Sequence, residues 1–138
     1  MGKINTRGVL VGGLVAGVVF NIVDGICYGV LFKSDFPMPA TPGPLGLPMM
    51  AWFIIMDFLY GFAAVYLYAA IRPRFGAGPK TALTAGLIMW VLVGLLHGLS
   101  EAPMGYAPAR LYWLGTLIAL VAIPLGLVVG AKFYTEPS

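Results

Sequence analysis

Four long hydrophobic stretches run along this chain, separated by three short stretches that are rich in proline, glycine and charge. The apolar stretches cover about residues 8–32, 49–71, 81–100 and 111–134. Each reaches the roughly 20 residues that a helix needs to cross the hydrocarbon core of a bilayer. The pattern therefore predicts one all-α domain over residues 1–138, a bundle of four transmembrane helices that we call spans 1 to 4.

The composition agrees with a lipid environment. The chain is 60% hydrophobic and only 9% charged, whereas a soluble domain carries about 25% charged residues. The first apolar stretch is longer than the ~7–15 residues of a signal-peptide core and is not closed by a small-residue cleavage site, so we expect it to stay in the membrane. Cys27 is the single cysteine, which excludes an internal disulfide, and the scattered basic residues form no nucleic-acid patch.

The basic residues predict the orientation of the chain. If the N-terminus is cytoplasmic, six of the eight lysines and arginines face the cytoplasm and two face outward. This is the positive-inside bias of short loops, and it predicts that both termini are cytoplasmic. The cytoplasmic set is Lys3, Arg7, Arg72, Arg74, Lys80 and Lys132, and the outer set is Lys33 and Arg110.

The connections between the spans differ in kind. Residues 72–80, RPRFGAGPK, predict a tight basic turn in which proline and glycine end one helix and begin the next. Residues 33–48, KSDFPMPATPGPLGLP, contain five prolines and predict a stiff, non-helical lid over the outer face. A weak similarity at an offset of 73 residues aligns Asp24-Gly25 with His97-Gly98 and leaves open an arrangement of two tandem helical hairpins.

Spans 1, 2 and 3 each carry polar residues on the same face as their small residues. Span 4 has only small residues at comparable spacing, so we expect it to be a packing partner. The faces comprise Gly13, Gly17, Asn21, Asp24, Gly25 and Tyr28 on span 1, Asp57, Gly61, Ala64 and Tyr68 with the adjacent Tyr60 on span 2, and Gly86, Trp90, Gly94, His97 and Glu101 on span 3.

Two aspartates are predicted at matched depth. Asp24 lies eight residues before Phe32 and Asp57 eight residues after Met49, which places both roughly 12 Å below the outer ends of their helices. A charged aspartate near a helix centre costs about 2.5–3.5 kcal/mol, and no span contains a lysine or arginine at membrane depth to pair with it. We therefore predict an outward-facing polar pocket. Its predicted ligand-binding residues are Asn21, Asp24, Asp57, His97, Glu101, Tyr28 and Tyr60.

Three functions fit such a pocket. The first is non-catalytic binding of a cation or small polar ligand from the extracytoplasmic side. The second is a structural or accessory role in a homo-oligomer or larger membrane complex, in which the polar cluster serves only helix packing. The third is metal binding, with zinc, manganese or iron on Asp24, Asp57 and His97, or with copper(I) on Cys27, His97 and outer methionines. Catalysis is disfavoured because neither Ser34 nor Ser100 lies in a nucleophile motif.

Two segments carry a resemblance to a group of proteins. They are YAAIRPRFGAGPKTALTAGL, around the basic turn, and GGLVAGVVFNIVDG, with its Asn-x-x-Asp step in span 1. Both resemble small bacterial integral membrane proteins with four predicted helices and no established activity. The resemblance implies the four-helix topology and a bacterial inner (cytoplasmic) membrane, and it carries over no catalytic or binding residue.

Overall fold

Four long helices form the computed structural model, which describes residues 3–136. Each helix is long and apolar enough to cross a membrane, and the described residues contain no strand. This confirms the predicted four-helix bundle and gives the chain the architecture of a multi-pass membrane protein. The spans are Thr6–Leu31, Met49–Phe75, Pro79–Met104 and Ala109–Phe133.

Only span 2 is a regular α-helix throughout. Span 1 and span 3 each contain a five-residue π-helical segment, and spans 3 and 4 each end in a 3₁₀ turn. In order, the helices are the α-helix Thr6–Ile26, the π segment Cys27–Leu31, the 3₁₀ turn Pro44–Gly46, the α-helices Met49–Phe75 and Pro79–Trp90, the π segment Val91–Leu95, the α-helix Leu96–Glu101, the 3₁₀ turn Ala102–Met104, the α-helix Ala109–Gly130 and the 3₁₀ turn Ala131–Phe133.

The basic turn between spans 2 and 3 is shorter than its sequence suggests. Span 2 continues through Pro73 for another turn and ends at Phe75, where Gly76 adopts a φ of 84° that a side chain would strain. Span 3 begins at Pro79, the first helical position, where the missing N–H costs no hydrogen bond. Only three residues therefore connect the two helices.

Spans 1 and 2 pack backbone to backbone. A Cβ on Gly61 would overlap the carbonyl oxygen of Gly13 and would lie 2.7 Å from the backbone nitrogen of Gly17. A Cβ on Gly13 would meet Phe62, and one on Gly17 would meet Phe58. Because the contacts step up one helix as they step down the other, the two spans are antiparallel. This is the close approach that small residues permit between membrane helices.

A second glycine contact joins span 1 to span 4. A Cβ on Gly12 would lie 2.7 Å from the carbonyl oxygen of Gly130, and Gly126 leaves room for the ring of Phe20. The adjacent glycines 12 and 13 thus face two different partners, and span 1 is wedged between spans 2 and 4.

Spans 3 and 4 are joined by polar contacts as well as by packing. The indole nitrogen of Trp90 donates to the carbonyl of Thr116 at 2.9 Å. The Thr116 hydroxyl lies 2.8 Å from the carbonyl oxygen of Tyr112 and 3.3 Å from that of Gly94, and shares its proton between them. These bonds satisfy polar groups that lipid cannot.

The end of the bundle that holds both chain termini, here called the terminal end, is closed. Asn5 caps span 1 by accepting from the N–H of Gly8 at 3.1 Å, and its amide donates to the carbonyl of Thr135 at 2.7 Å. The buried ring of Tyr134 lies 5.5 Å from the guanidinium of Arg72, a cation–π contact. The beginning of span 1, the end of span 2 and the chain end are therefore tied together.

The glycine contact between spans 1 and 2 predicts a difference between two alanine substitutions. Gly61→Ala should destabilise the bundle by about 1–3 kcal/mol, because the new methyl group overlaps backbone that cannot yield. Gly25→Ala is the matched control: nothing lies within 4 Å of its Cβ, and alanine favours a helix by up to about 1 kcal/mol. Unfolding in detergent micelles, followed by circular dichroism, measures both. Equal stability of the two variants would contradict this packing.

Candidate functional site

The glycine contact between spans 1 and 2 places the two aspartates close to each other. Asp24 lies two helical turns beyond Gly17 on span 1, and Asp57 lies one turn before Gly61 on span 2. In the folded chain their carboxyl groups are within hydrogen-bonding distance of each other. A hydrogen bond between two carboxyl groups needs a proton on one of them, since an ionised carboxylate only accepts.

Both carboxyl groups face a cavity of about 140 Å³ between the four spans. Three aromatic rings, two carboxyl groups and four aliphatic side chains form its wall, and none of these residues is basic. The lining residues are Phe20, Asp24, Tyr28, Asp57, Tyr60, Val93, Ala119, Ala122 and Ile123.

The negative charge of this pair has no counter-charge in the described part of the chain. No hydrogen bond from a backbone or side-chain donor to Asp24 or Asp57 occurs between residues 3 and 136 apart from the one within the pair. An uncompensated charge at this depth is costly, so the pair is suited to a positively charged occupant. The ion pairs within residues 3–136 are Arg72–Glu136 at 3.6 Å and Arg110–Asp35 at 2.8 Å, and neither of them involves Asp24 or Asp57.

A second, larger cavity of about 270 Å³ lies beside the first. Its polar groups include the imidazole of His97 on span 3 and the hydroxyl of Thr116 on span 4. Three residues line both cavities, namely Tyr28, Val93 and Ala119. Their side chains form the partition between the carboxyl pair and the histidine.

The two π-helical segments border this partition. Tyr28 belongs to the segment Cys27–Leu31 and Val93 to the segment Val91–Leu95. A π turn holds one more residue than an α turn, so it rotates everything beyond it by about 100°. In span 3 this leaves Gly98 buried against Thr116 and His97 exposed. The histidine therefore does not reach the cavity of the carboxyl pair.

The proline-rich connection lies over this end of the bundle, which we call the loop end. Phe36 packs edge-on against Tyr28 with ring centroids 4.9 Å apart. Asp35 reaches across to the start of span 4, where it pairs with Arg110. The first residues of the connection therefore contact Tyr28 and the start of span 4, and a lid formed by the proline-rich part stays a prediction.

Two of the predicted site residues lie outside both cavities. Asn21 donates to the carbonyl of Gly17 at 2.9 Å and to that of Ile54 at 3.4 Å, so its amide bridges spans 1 and 2. Glu101 is partly buried at the loop end and lines neither cavity. The remaining predicted residues divide into Asp24, Asp57, Tyr28 and Tyr60 around the smaller cavity and His97 with Tyr28 around the larger.

The proposed metal ligands do not come together. Within residues 3–136, no group of three or more His, Cys, Asp or Glu side chains is close enough to hold a metal ion. The set Asp24, Asp57 and His97 is divided between the two cavities, and zinc sites usually need three or four protein ligands.

The sequence interpretation omitted the apolar part of the wall. Phe20, Ala122 and Ile123 line the smaller cavity, and Thr116 reaches the larger one. Phe20 lies four residues before Asp24, so its helical spacing is the signal that could have placed it on the same face. Thr116 and Ile123, both on span 4, carry no ionisable group, and nothing in their local pattern marks them.

Comparison of the chain with protein-family models, with curated proteins and with solved structures finds no match. The resemblance to small bacterial membrane proteins therefore remains a prediction.

The partition between the cavities predicts a pattern of chemical accessibility. In a Cys27→Ser background, Ala119→Cys should react readily with a small water-soluble methanethiosulfonate, because residue 119 lines both cavities. Ala64→Cys is the control, since Ala64 is fully buried between spans at 0% exposure. Labelling rates are read by mass spectrometry on protein in detergent. Equal rates at the two positions would show that water does not enter the cavities.

Proposed function

We propose that this chain is a bacterial inner-membrane protein whose smaller cavity binds a cation from the extracytoplasmic side, without catalysis. The observation that carries the proposal is the pair Asp24 and Asp57, which face one cavity with no basic residue in its wall. Burial of such a pair is unfavourable unless a proton or a cation compensates it. Binding of a cation would account for two buried carboxyl groups, whereas helix packing does not require them.

The sign of the charge favours a cation over an anion. Phosphate or carboxylate groups would face two carboxyl groups and two phenols, with no guanidinium or ammonium to receive them. Neutral polar molecules would satisfy hydrogen bonds but leave the charge uncompensated. A cation satisfies both requirements at once.

The orientation comes from the distribution of basic residues. Four spans return the chain to its starting side, so both termini lie on one side of the membrane. The positive-inside bias assigns that side to the cytoplasm. The cavities and the proline-rich connection then belong to the outer half, and the closed terminal end belongs to the inner half.

A structural or accessory role is the competing proposal, and the amide of Asn21 favours it. Asn21 bonds to the backbone of span 2 and lines neither cavity, as expected of a residue that holds helices together. If Asp24 and Asp57 act in the same way, their loss should cost stability, and no cation should stabilise the bundle.

Cation-dependent thermal stability separates these two proposals. A cation that binds only the folded bundle adds about 2.7 kcal/mol at one hundred times its Kd. We expect wild-type protein to gain stability from at least one member of a panel of inorganic and organic cations. The double variant Asp24→Asn/Asp57→Asn should fold and lose that gain, because it removes the negative charge of the pair while keeping two polar side chains of the same shape.

Glu136→Gln is the matched control, because it removes a carboxylate at the terminal end, away from both cavities. It should keep the full gain in melting temperature. If the Asp24→Asn/Asp57→Asn variant is unstable and no cation stabilises the wild type, the result would favour the structural role. The same Ala119→Cys labelling on intact cells tests the sidedness: the residue should react with an impermeant reagent added outside.

A further inference from the structure

We propose that the ligand of the smaller cavity is a small, monovalent organic ammonium ion rather than an inorganic cation. This inference rests on the proposed function, since it names the chemical class that the same site would bind. Three features of the cavity support it: its volume, its aromatic wall and the charge of the carboxyl pair.

The volume sets an upper limit on the ligand. A cavity of about 150 Å³ holds a benzene-sized molecule, with roughly six non-hydrogen atoms. The cavity beside Asp24 and Asp57 measures about 140 Å³. A methylated ammonium of up to that size fits, and a bulky organic cation does not. An inorganic ion would leave most of the space unfilled.

The aromatic wall has the chemistry of ammonium recognition. The rings of Phe20, Tyr28 and Tyr60 line the cavity together with the two carboxyl groups. A cation near the face of an aromatic ring is attracted by the ring quadrupole, and quaternary ammonium ligands are held in this way by cages of several rings. The alkyl parts of such a ligand would pack against the aliphatic side chains of Val93 and Ile123, which lie in the same wall.

The charge of the pair matches a single positive charge. With one proton shared in the hydrogen bond between Asp24 and Asp57, the pair carries one negative charge. A divalent metal would need more ligands, typically six or more oxygens for calcium. The cavity offers two carboxyl groups and two phenols, and no third acidic or histidine side chain of the described residues joins them.

Binding of radiolabelled tetramethylammonium to purified protein in nanodiscs tests the inference. We expect saturable binding by wild type and a loss of at least about tenfold in affinity for the double variant Asp24→Asn/Asp57→Asn, which removes the negative charge of the pair. Tyr60→Leu should weaken binding about fivefold, because it removes one ring face. Tyr66→Leu is the matched control, because Tyr66 lies on the same span and lines neither cavity, and it should bind as wild type does. Tyr60 and Tyr66 are exposed at 39% and 55% of their surfaces, so neither change disturbs the core.

Competition by unlabelled cations identifies the class. Methylammonium should displace the probe, and tetraethylammonium should not, because it exceeds the cavity. Displacement by sodium or zinc instead, with no effect of Tyr60→Leu, would overturn the ammonium class while leaving the proposed cation site intact. Failure of every organic and inorganic cation to bind or to stabilise the wild type would overturn both the inference and the proposed function.

Discussion

The backbone contact between Gly61 and the Gly13–Gly17 turn determines the rest of this bundle. Lipid offers no hydrophobic driving force between helices, so close packing must supply the association. The contact brings spans 1 and 2 to a distance that any side chain would prevent. It also sets their register, and that register places Asp24 beside Asp57 one to two turns further along. The glycines thus position the carboxyl pair without touching it.

The bundle is built unequally along its length. At the terminal end, Tyr68 and Tyr134 pack edge-on with ring centroids 5.9 Å apart, and Arg72 and Asn5 close the remaining space. At the loop end, spans 1 and 3 contain π segments, and the spans line two cavities. Extra residues in π turns often occur at functional sites, because they widen a helix and redirect side chains. The closed terminal end therefore supports a loop end whose cavities have room for a ligand.

Much of this architecture could be predicted from the sequence, and the exceptions have physical causes. The length and composition of the apolar stretches predict four spans. Helical spacing predicts that Asp24 and Tyr28 lie on the interior face of span 1 and that Asp57 and Tyr60 lie on that of span 2. The sequence also predicts His97 beside these four residues, but the π segment of span 3 rotates it towards the larger cavity. The hydrophobic periodicity of span 3 could not predict its π segment, because the Gly94 carbonyl there accepts a hydrogen bond from the Thr116 hydroxyl on span 4. Tertiary hydrogen bonds of this kind leave no local pattern.

The most direct test of the account is a crystal structure of the protein grown with tetramethylarsonium, which has the shape and charge of tetramethylammonium and contains an anomalous scatterer. The account predicts one arsenic peak in the smaller cavity, between the carboxyl groups of Asp24 and Asp57 and the rings of Tyr28 and Tyr60. An empty smaller cavity, with arsenic only beside His97 or on the lipid-facing surface, would contradict it.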